Sequence, residues 1–382
     1  MPHEVTRRKA VTTLASGAVA AVACTGRGEY SQGSSVQSQR DILMVNPILK
    51  EQPLPKMGPM PTSDPFLFCV HHFDDYPKGS PNKGPASSLA GRQMGQDFAN
   101  INGWNMYHGD VVPGFPRHPH RGFETVTIVK TGLIDHADSL GAKARYGDGD
   151  VQWLTAGDGI NHAEMFPLLN QAERNPTDFF QIWLNLPARS KRVPAHFKMF
   201  WDEQVPMIVQ KDEAGRSATV RCVAGDYFAQ ACPKPPPNSW ASGPDSHVGM
   251  LTIELEPHAK WVLPAGKDGL NRLLYVVQGE LSAENGVGKS RVRYVLKSDV
   301  EMMLEAKEKG AMLLLLEGKP IGEPVVQHGP FVMNSQEEIV QAFADYRKTQ
   351  FGGWPWSSIE PTHGDVRRRF AQFADGRIDQ PT

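Results

Sequence analysis

His118-Pro119-His120-Arg121-Gly122-Phe123-Glu124-Thr125-Val126-Thr127-Ile128-Val129 decides the reading of this chain, answered some forty residues later by His162-Ala163-Glu164. In an extended strand, side chains at i and i+2 point to the same face. Each triplet therefore aims two metal-ligating groups at one side of a sheet. Two such pairs meeting inside a small barrel would offer three imidazoles and a carboxylate to one ion. A His-x-His pair alone says little, because thirteen histidines in 382 residues give roughly 0.4 such pairs by chance. Its surroundings say more. The β-branched run after His120 reads as a strand, and Asp148 to Gly157 reads as a turn, a strand and a second turn leading to His162.

A His-x-His at the head of one strand, then a turn, then a Gly-Asp-bounded strand leading to a third His is the order of elements in a cupin. HPHRGFETVT (118–127), GDVQWLTAGDGINHAEMF (149–166) and EPVVQHGPFVMNSQEEIVQAFADYR (323–347) further resemble the signature segments of the pirins, which are two-domain cupins. The resemblance spans about Pro65 to Phe351. It implies an all-β fold of two tandem cupin jelly rolls with a C-terminal helix. It also implies one divalent metal in the first cupin, usually iron, with the ligand motif falling on His118, His120, His162 and Glu164. All-N/O ligation also suits manganese, nickel, cobalt, copper or zinc.

Other residues compete for these roles. Glu124 shares strand parity with His118 and His120, and the general cupin pattern takes its carboxylate from about that position. The pirin resemblance assigns the role to Glu164, two residues from His162, leaving Glu124 a supporting or structural group. His71-His72 beside Asp74-Asp75 reads as a solvated loop, since adjacent strand residues face opposite ways. His136, beyond the turn at Gly132, reads as a surface residue. Alternation makes either Gln152 or Trp153 line the cavity. Along Phe179 to Leu186, Phe180, Ile182 and Leu184 share one face, with Gln181 and Trp183 on the other. Pro119 cannot donate a ladder hydrogen bond, so its strand belongs at a sheet edge, with the metal near the barrel mouth.

The length accommodates two domains with full cores, and the net charge of -2 gives no reason to expect a nucleic-acid partner. Residues 1–45 read as outside the fold. Arg7-Arg8, the uncharged run from Ala10 to Ala23, and Ala21-Val22-Ala23-Cys24 look like a twin-arginine export signal with a lipoprotein-type cleavage site. Cys24 is then a candidate lipid-anchor site in the periplasm or cell envelope, and Gly28 to Gln39 a flexible tether. Without such a signal the chain would be cytoplasmic. Cys69, Cys222 and Cys232 remain; a Cys222–Cys232 disulfide is compatible with an oxidising compartment, and spacing alone does not fix it.

The expected organisation is a metal-binding cupin over 65–186, a proline-rich junction over 187–246, a metal-free cupin with a helix over 247–350, and an irregular aromatic tail over 351–382. Asn334 or Ser335 with Glu337 or Glu338 forms a capping box that starts the helix. Ile339, Val340, Phe343 and Tyr346 form its buried stripe. His328 reads as structural. The chain is expected to be a monomer.

Some bacterial pirins are similar to flavonol 2,3-dioxygenases. The resemblance therefore implies a quercetinase-type enzyme acting on a phenolic with O2, Glu164 being both ligand and catalytic proton acceptor. The alternative is a non-catalytic, redox-responsive iron protein that regulates a partner.

Overall fold

The computed structural model describes residues 46–283 and 290–382. The export-signal reading falls on residues 1–45, outside the described residues. Strands β1 (Ile48–Pro53), β2 (Phe66–Tyr76), β3 (Gly114–His120), β4 (Phe123–Thr131), β5 (Leu133–Asp138), β6 (Lys143–Gly147), β7 (Val151–Thr155), β8 (Ile160–Met165), β9 (Asn175–Asn185) and β10 (His196–Phe200) occupy the first half. Among the described residues the fold is all-β apart from short 3-10 turns and one helix, α1 (Gln336–Thr349).

Two sheets build the first cupin. One runs β10-β7-β4-β9-β2; the other ends in β6-β5-β8-β3, with β3 at its edge as Pro119 requires. The second half forms an eight-stranded sheet around Met302–Gly318, which pairs with Gly249–Leu255, Lys260–Leu263 and Asn271–Ala283. The run Ala311 to Leu316 is continuously apolar because both of its faces are buried. Leu313 and Leu315 point into the second barrel, while Met312, Leu314 and Leu316 join Phe180, Ile182, Leu184 and Trp153 in a core shared by the two halves. Thus the apolar face of β9 packs against the second cupin. Gln181 and Trp183 are left to the interior of the first.

The ends of the described chain cross over. β1 pairs with Val292–Leu296 of the second half, and Phe370–Gln372 adds to β6 of the first. The tail is therefore not irregular throughout: its backbone completes an otherwise open edge. The junction likewise contributes ladder strands, β10 beside β7 and Ser217–Ala224 beside Gly249–Leu255. Cys222 and Cys232 form a disulfide, and Cys69 is free and buried.

Ser335 caps α1, accepting from the Glu338 amide while the Glu338 side chain accepts from the Ser335 amide. The buried side of α1 is Ile339 and Ala342, with Phe343 and Tyr346 packed beside them. Val340 is 60% exposed, a correction to the expected stripe. Position 340 lies 100° from 339 on a helix, turned away from the hairpin of Val326–His328 and Phe331–Met333 that packs against the 339–342–346 side. Arg121, next to the ligand triplet, bonds Asp345 of α1 at 2.7 Å. At Gly122 (φ +85°) a Cβ would stand 2.0 Å from the Val332 carbonyl oxygen, so this approach of the hairpin requires glycine. No helix among the described residues is long and apolar enough to cross a membrane.

Candidate metal centre

Antiparallel register brings the two triplets together. β3 and β8 pair with His118 directly opposite His162, and strand alternation puts His120 on the same face as His118. Ligating atoms of His118, His120 and His162 lie within 4.8 Å of one another. His118 Nδ1 donates to the Pro116 carbonyl at 2.8 Å, leaving Nε2 as a lone pair, and that atom is 3.1 Å from His120 Nε2. Two nitrogens about 2.1 Å from one ion and at right angles about it stand about 3.0 Å apart. Both nitrogens of His162 are buried without a hydrogen-bond partner among the described residues. In a protein interior an unpartnered imidazole is costly, and an ion at the centre of the triad would satisfy one of its two nitrogens. Burial holds all three rings in the neutral form a ligand needs: His118 is lowered to about 4, and His120 and His162 well below the ordinary histidine value.

Glu164 is not among the residues whose atoms gather within 4.8 Å; its buried carboxylate lies beside them, Oε2 4.0 Å from His162 Nε2. Gln181 of β9 donates to Oε2 at 2.6 Å, and Thr127 of β4 and Tyr146 of β6 donate to Oε1 at 3.2 and 3.5 Å. These bonds cross the barrel interior. Burial raises the Glu164 carboxyl, opposed by the charge of nearby His136 and by these donors. Glu124 is elsewhere. Its carboxylate accepts from Thr155 Oγ1 at 2.7 Å and from Ser239 Oγ, tying the first barrel to the junction, and burial lifts it to about 7. Same-side alternation holds only within one strand, and the turn at Arg121-Gly122 lies between His120 and Glu124.

Three expectations require correction. His136 is fully buried, not on the surface. It sits on β5 opposite Glu164, with its ring 5.6 Å from His162 and Nε2 3.1 Å from Asp138. The turn at Gly132 is a tight connection between two buried strands, so the chain re-enters the barrel at once. His71 to Asp75 is likewise not a loop but part of β2, whose alternation buries His72 and Asp74. Of the pair on β7, Trp153 joins the shared core and Gln152 is buried beside Tyr146. Neither lines the cavity; Trp183 does.

That cavity has a volume of about 1040 Å³ and opens onto His118 and His120. Phe68, Phe98, Phe115 and Trp183 wall it, with Gln181 on its lining. The sequence puts Gln181 and Trp183 on one face of their strand but leaves their role unread, because a polar residue in an apolar strand reads as outward. Their alternation with Phe180 and Ile182 is the one available signal. A Gln181→Leu protein is expected to bind metal about 10–100-fold more weakly, since partners behind ligands carry that much; a metal titration against a chelator measures it.

The comparisons agree with this architecture. The model of the pirin family matches residues 84–184, and that of the pirin C-terminal cupin domain residues 250–352. A Pseudomonas aeruginosa protein named "Putative quercetin 2,3-dioxygenase" is 40% identical over 245 residues, covering 62% of this chain and 80% of the relative. Human pirin is 33% identical over 252 residues, covering 64% and 80%. A crystal structure of quercetin 2,3-dioxygenase from Acinetobacter baumannii superposes with a TM-score of 0.63 at 25% identity, over 80% of this chain and 98% of that one. With both halves matched in order, and with four-fifths of each relative covered at such identity, this chain belongs to the pirin family.

Proposed function

We propose that this protein is a metal-dependent dioxygenase of the quercetinase type, with iron as the metal, that opens a flavonol or related phenolic with O2. The observation that carries the reading is the meeting of three neutral imidazoles beside a deep, aromatic-walled cavity. The names of the Pseudomonas and Acinetobacter relatives support it. In this reading His118, His120, His162 and Glu164 hold the ion. Three neutral ligands and one carboxylate leave a divalent ion a net charge near +1, and when bound it supplies the Lewis acidity that eases ionisation of a phenolic hydroxyl.

The chain's own part is to position the ring and take the proton. Phe68, Phe115 and Trp183 offer faces and edges for a planar aromatic. Gln181 donates to Glu164 Oε2, and in this reading the other oxygen, Oε1, takes the proton. The neighbours there, Thr127 and Tyr146, are hydroxyls that can accept from a protonated Oε1 as readily as they donate to a charged one. The test is O2 uptake with loss of flavonol absorbance by protein whose metal has been measured by elemental analysis. Fully metallated protein that consumes neither, across several phenolics, would defeat the reading and favour a non-catalytic role.

Export, with Cys24 as a lipid-anchor site, belongs to the same proposal. The Cys222–Cys232 disulfide supports it, because such bonds persist in oxidising compartments. Replacing Arg7 and Arg8 by Lys is expected to leave the protein in the cytoplasm on cell fractionation. Unchanged export would remove the twin-arginine assignment.

A further inference from the structure

A second polar array lines the same cavity as the imidazole triad and takes no part in it. On β2, His72 and Asp74 share one face. Tyr107 bridges them, its hydroxyl 2.8 Å from His72 Nδ1 and 2.6 Å from Asp74 Oδ2. Asn105 donates to Asp74 Oδ1 through both its backbone and side-chain nitrogens, at 2.8 and 2.9 Å. Asp74 thus receives two bonds on one oxygen and one on the other. Burial pushes its carboxyl up to about 6, which leaves it a carboxylate at neutral pH.

One hydrogen on Tyr107 decides the rest. It must go to the carboxylate, which can only accept, so the phenol oxygen in turn accepts from His72 Nδ1–H. The imidazole is neutral, lowered to about 3 by burial and by neighbouring His71. Its Nε2 is therefore a lone pair, and that atom is buried without a partner among the described residues. Tyr107 itself sits at φ +58°, a conformation costly for a bulky side chain and one that clusters at functional sites.

We propose that His72 Nε2 is a specificity-determining hydrogen-bond acceptor for a second free hydroxyl on the phenolic, remote from the hydroxyl that faces the triad. The inference rests on the cavity's taking a phenolic, as proposed above. The Phe115 ring lies edge-on to both His72, at 5.8 Å, and His118, at 6.4 Å. The two imidazoles are consequently within about 12 Å of each other, a distance a three-ring flavonol can span. The proposal requires Nε2, buried in the free protein, to be uncovered as the ligand binds, and Phe115 is the cavity-lining ring set edge-on beside it. A site built around an acceptor discriminates against an analogue that offers no hydrogen, because the buried lone pair then stays unpaired.

The geometry permits an inversion test. In Asp74→Asn the side-chain amide donates to the Tyr107 oxygen, so the Tyr107 hydroxyl must donate to His72 Nδ1. His72 then carries its hydrogen on Nε2 and becomes a donor. Binding is measured anaerobically on metal-loaded, full-length protein with three probes: 3-hydroxyflavone, quercetin, and quercetin methylated on the hydroxyls of its catechol ring. Wild type is expected to bind quercetin about tenfold tighter than the other two. Asp74→Asn is expected to bind quercetin and the methylated compound alike, both more tightly than 3-hydroxyflavone, because a hydroxyl and a methoxy oxygen each accept from Nε2–H, and Tyr107→Phe, which leaves the tautomer free, to narrow the wild-type preference. A merely structural role would weaken all three probes together and leave their order unchanged. Equal affinities in wild type, or an Asp74→Asn protein that folds and keeps the wild-type order, would overturn the inference while leaving the dioxygenase reading intact. If Asp74→Asn does not fold, an unaltered preference in Tyr107→Phe overturns it. No binding of any probe to wild type overturns both.

Discussion

A His162→Ala protein is expected to be purified with almost no metal and to lose O2 uptake by more than ~10²-fold, since residues behind ligands already carry 10–100-fold and a ligand carries at least as much. His162 is the choice among the three because it is the deepest. His118 is half-buried at the cavity, whereas His162 is fully buried with both nitrogens unpartnered, so water cannot easily take its place. Elemental analysis and an oxygen electrode measure the outcome, and circular dichroism checks that the barrel persists. Metal retained near the wild-type level would mean that the ion, if any, sits elsewhere.

The second large effect concerns stability. Arg145 of β6 and Asp135 of β5 are both fully buried and form two parallel bonds of 2.6 Å. Arg145 also donates to the carbonyls of Gly364 and Val366, while Asp135 accepts from the His363 amide at 2.8 Å. The pair thereby staples the tail to the first barrel. Arg145→Met strands Asp135 as an uncompensated buried charge, and the expected cost is about 3–5 kcal/mol, read from the urea midpoint. Early proteolytic cleavage near Gly364 should accompany it. Asp135→Leu added to Arg145→Met is expected to recover much of the loss, because a pair replaced by apolar groups leaves no orphan. A double variant as unstable as the single would show that tail anchoring, not the stranded charge, sets the cost.

Both predictions depend on features of different legibility. Strand periodicity is a local property, and it is enough to put His118 beside His120 and to give β9 an apolar side of Phe180, Ile182 and Leu184. The Ser335 cap with Glu338 is equally local, since its hydrogen bonds close within one helical turn. The long signature segments likewise bring the fold with them, because a two-cupin order of strands and turns is written in sequence order.

Choices between faces and partners are of another kind. Glu164 stands two residues from His162 on one strand, a local relation, whereas the turning of Glu124 to Ser239 is set by packing of the junction against the first barrel. His136 and His72 are polar residues next to turns or charges, so local rules send them to solvent; sheets packed above them bury them instead. The tail, aromatic and without periodicity, becomes ladder because β6 offers an open edge. The sequence by itself thus determined the all-β class, the helix start and the spacing of the imidazoles, all fixed by contacts within a few residues. Where Glu124 turns, what walls the cavity and which groups lie unpartnered within it were decided by tertiary structure. Those are properties of register and packing between segments distant along the chain, 35 residues for His72 and Tyr107 and 115 for Glu124 and Ser239, and no local pattern encodes them.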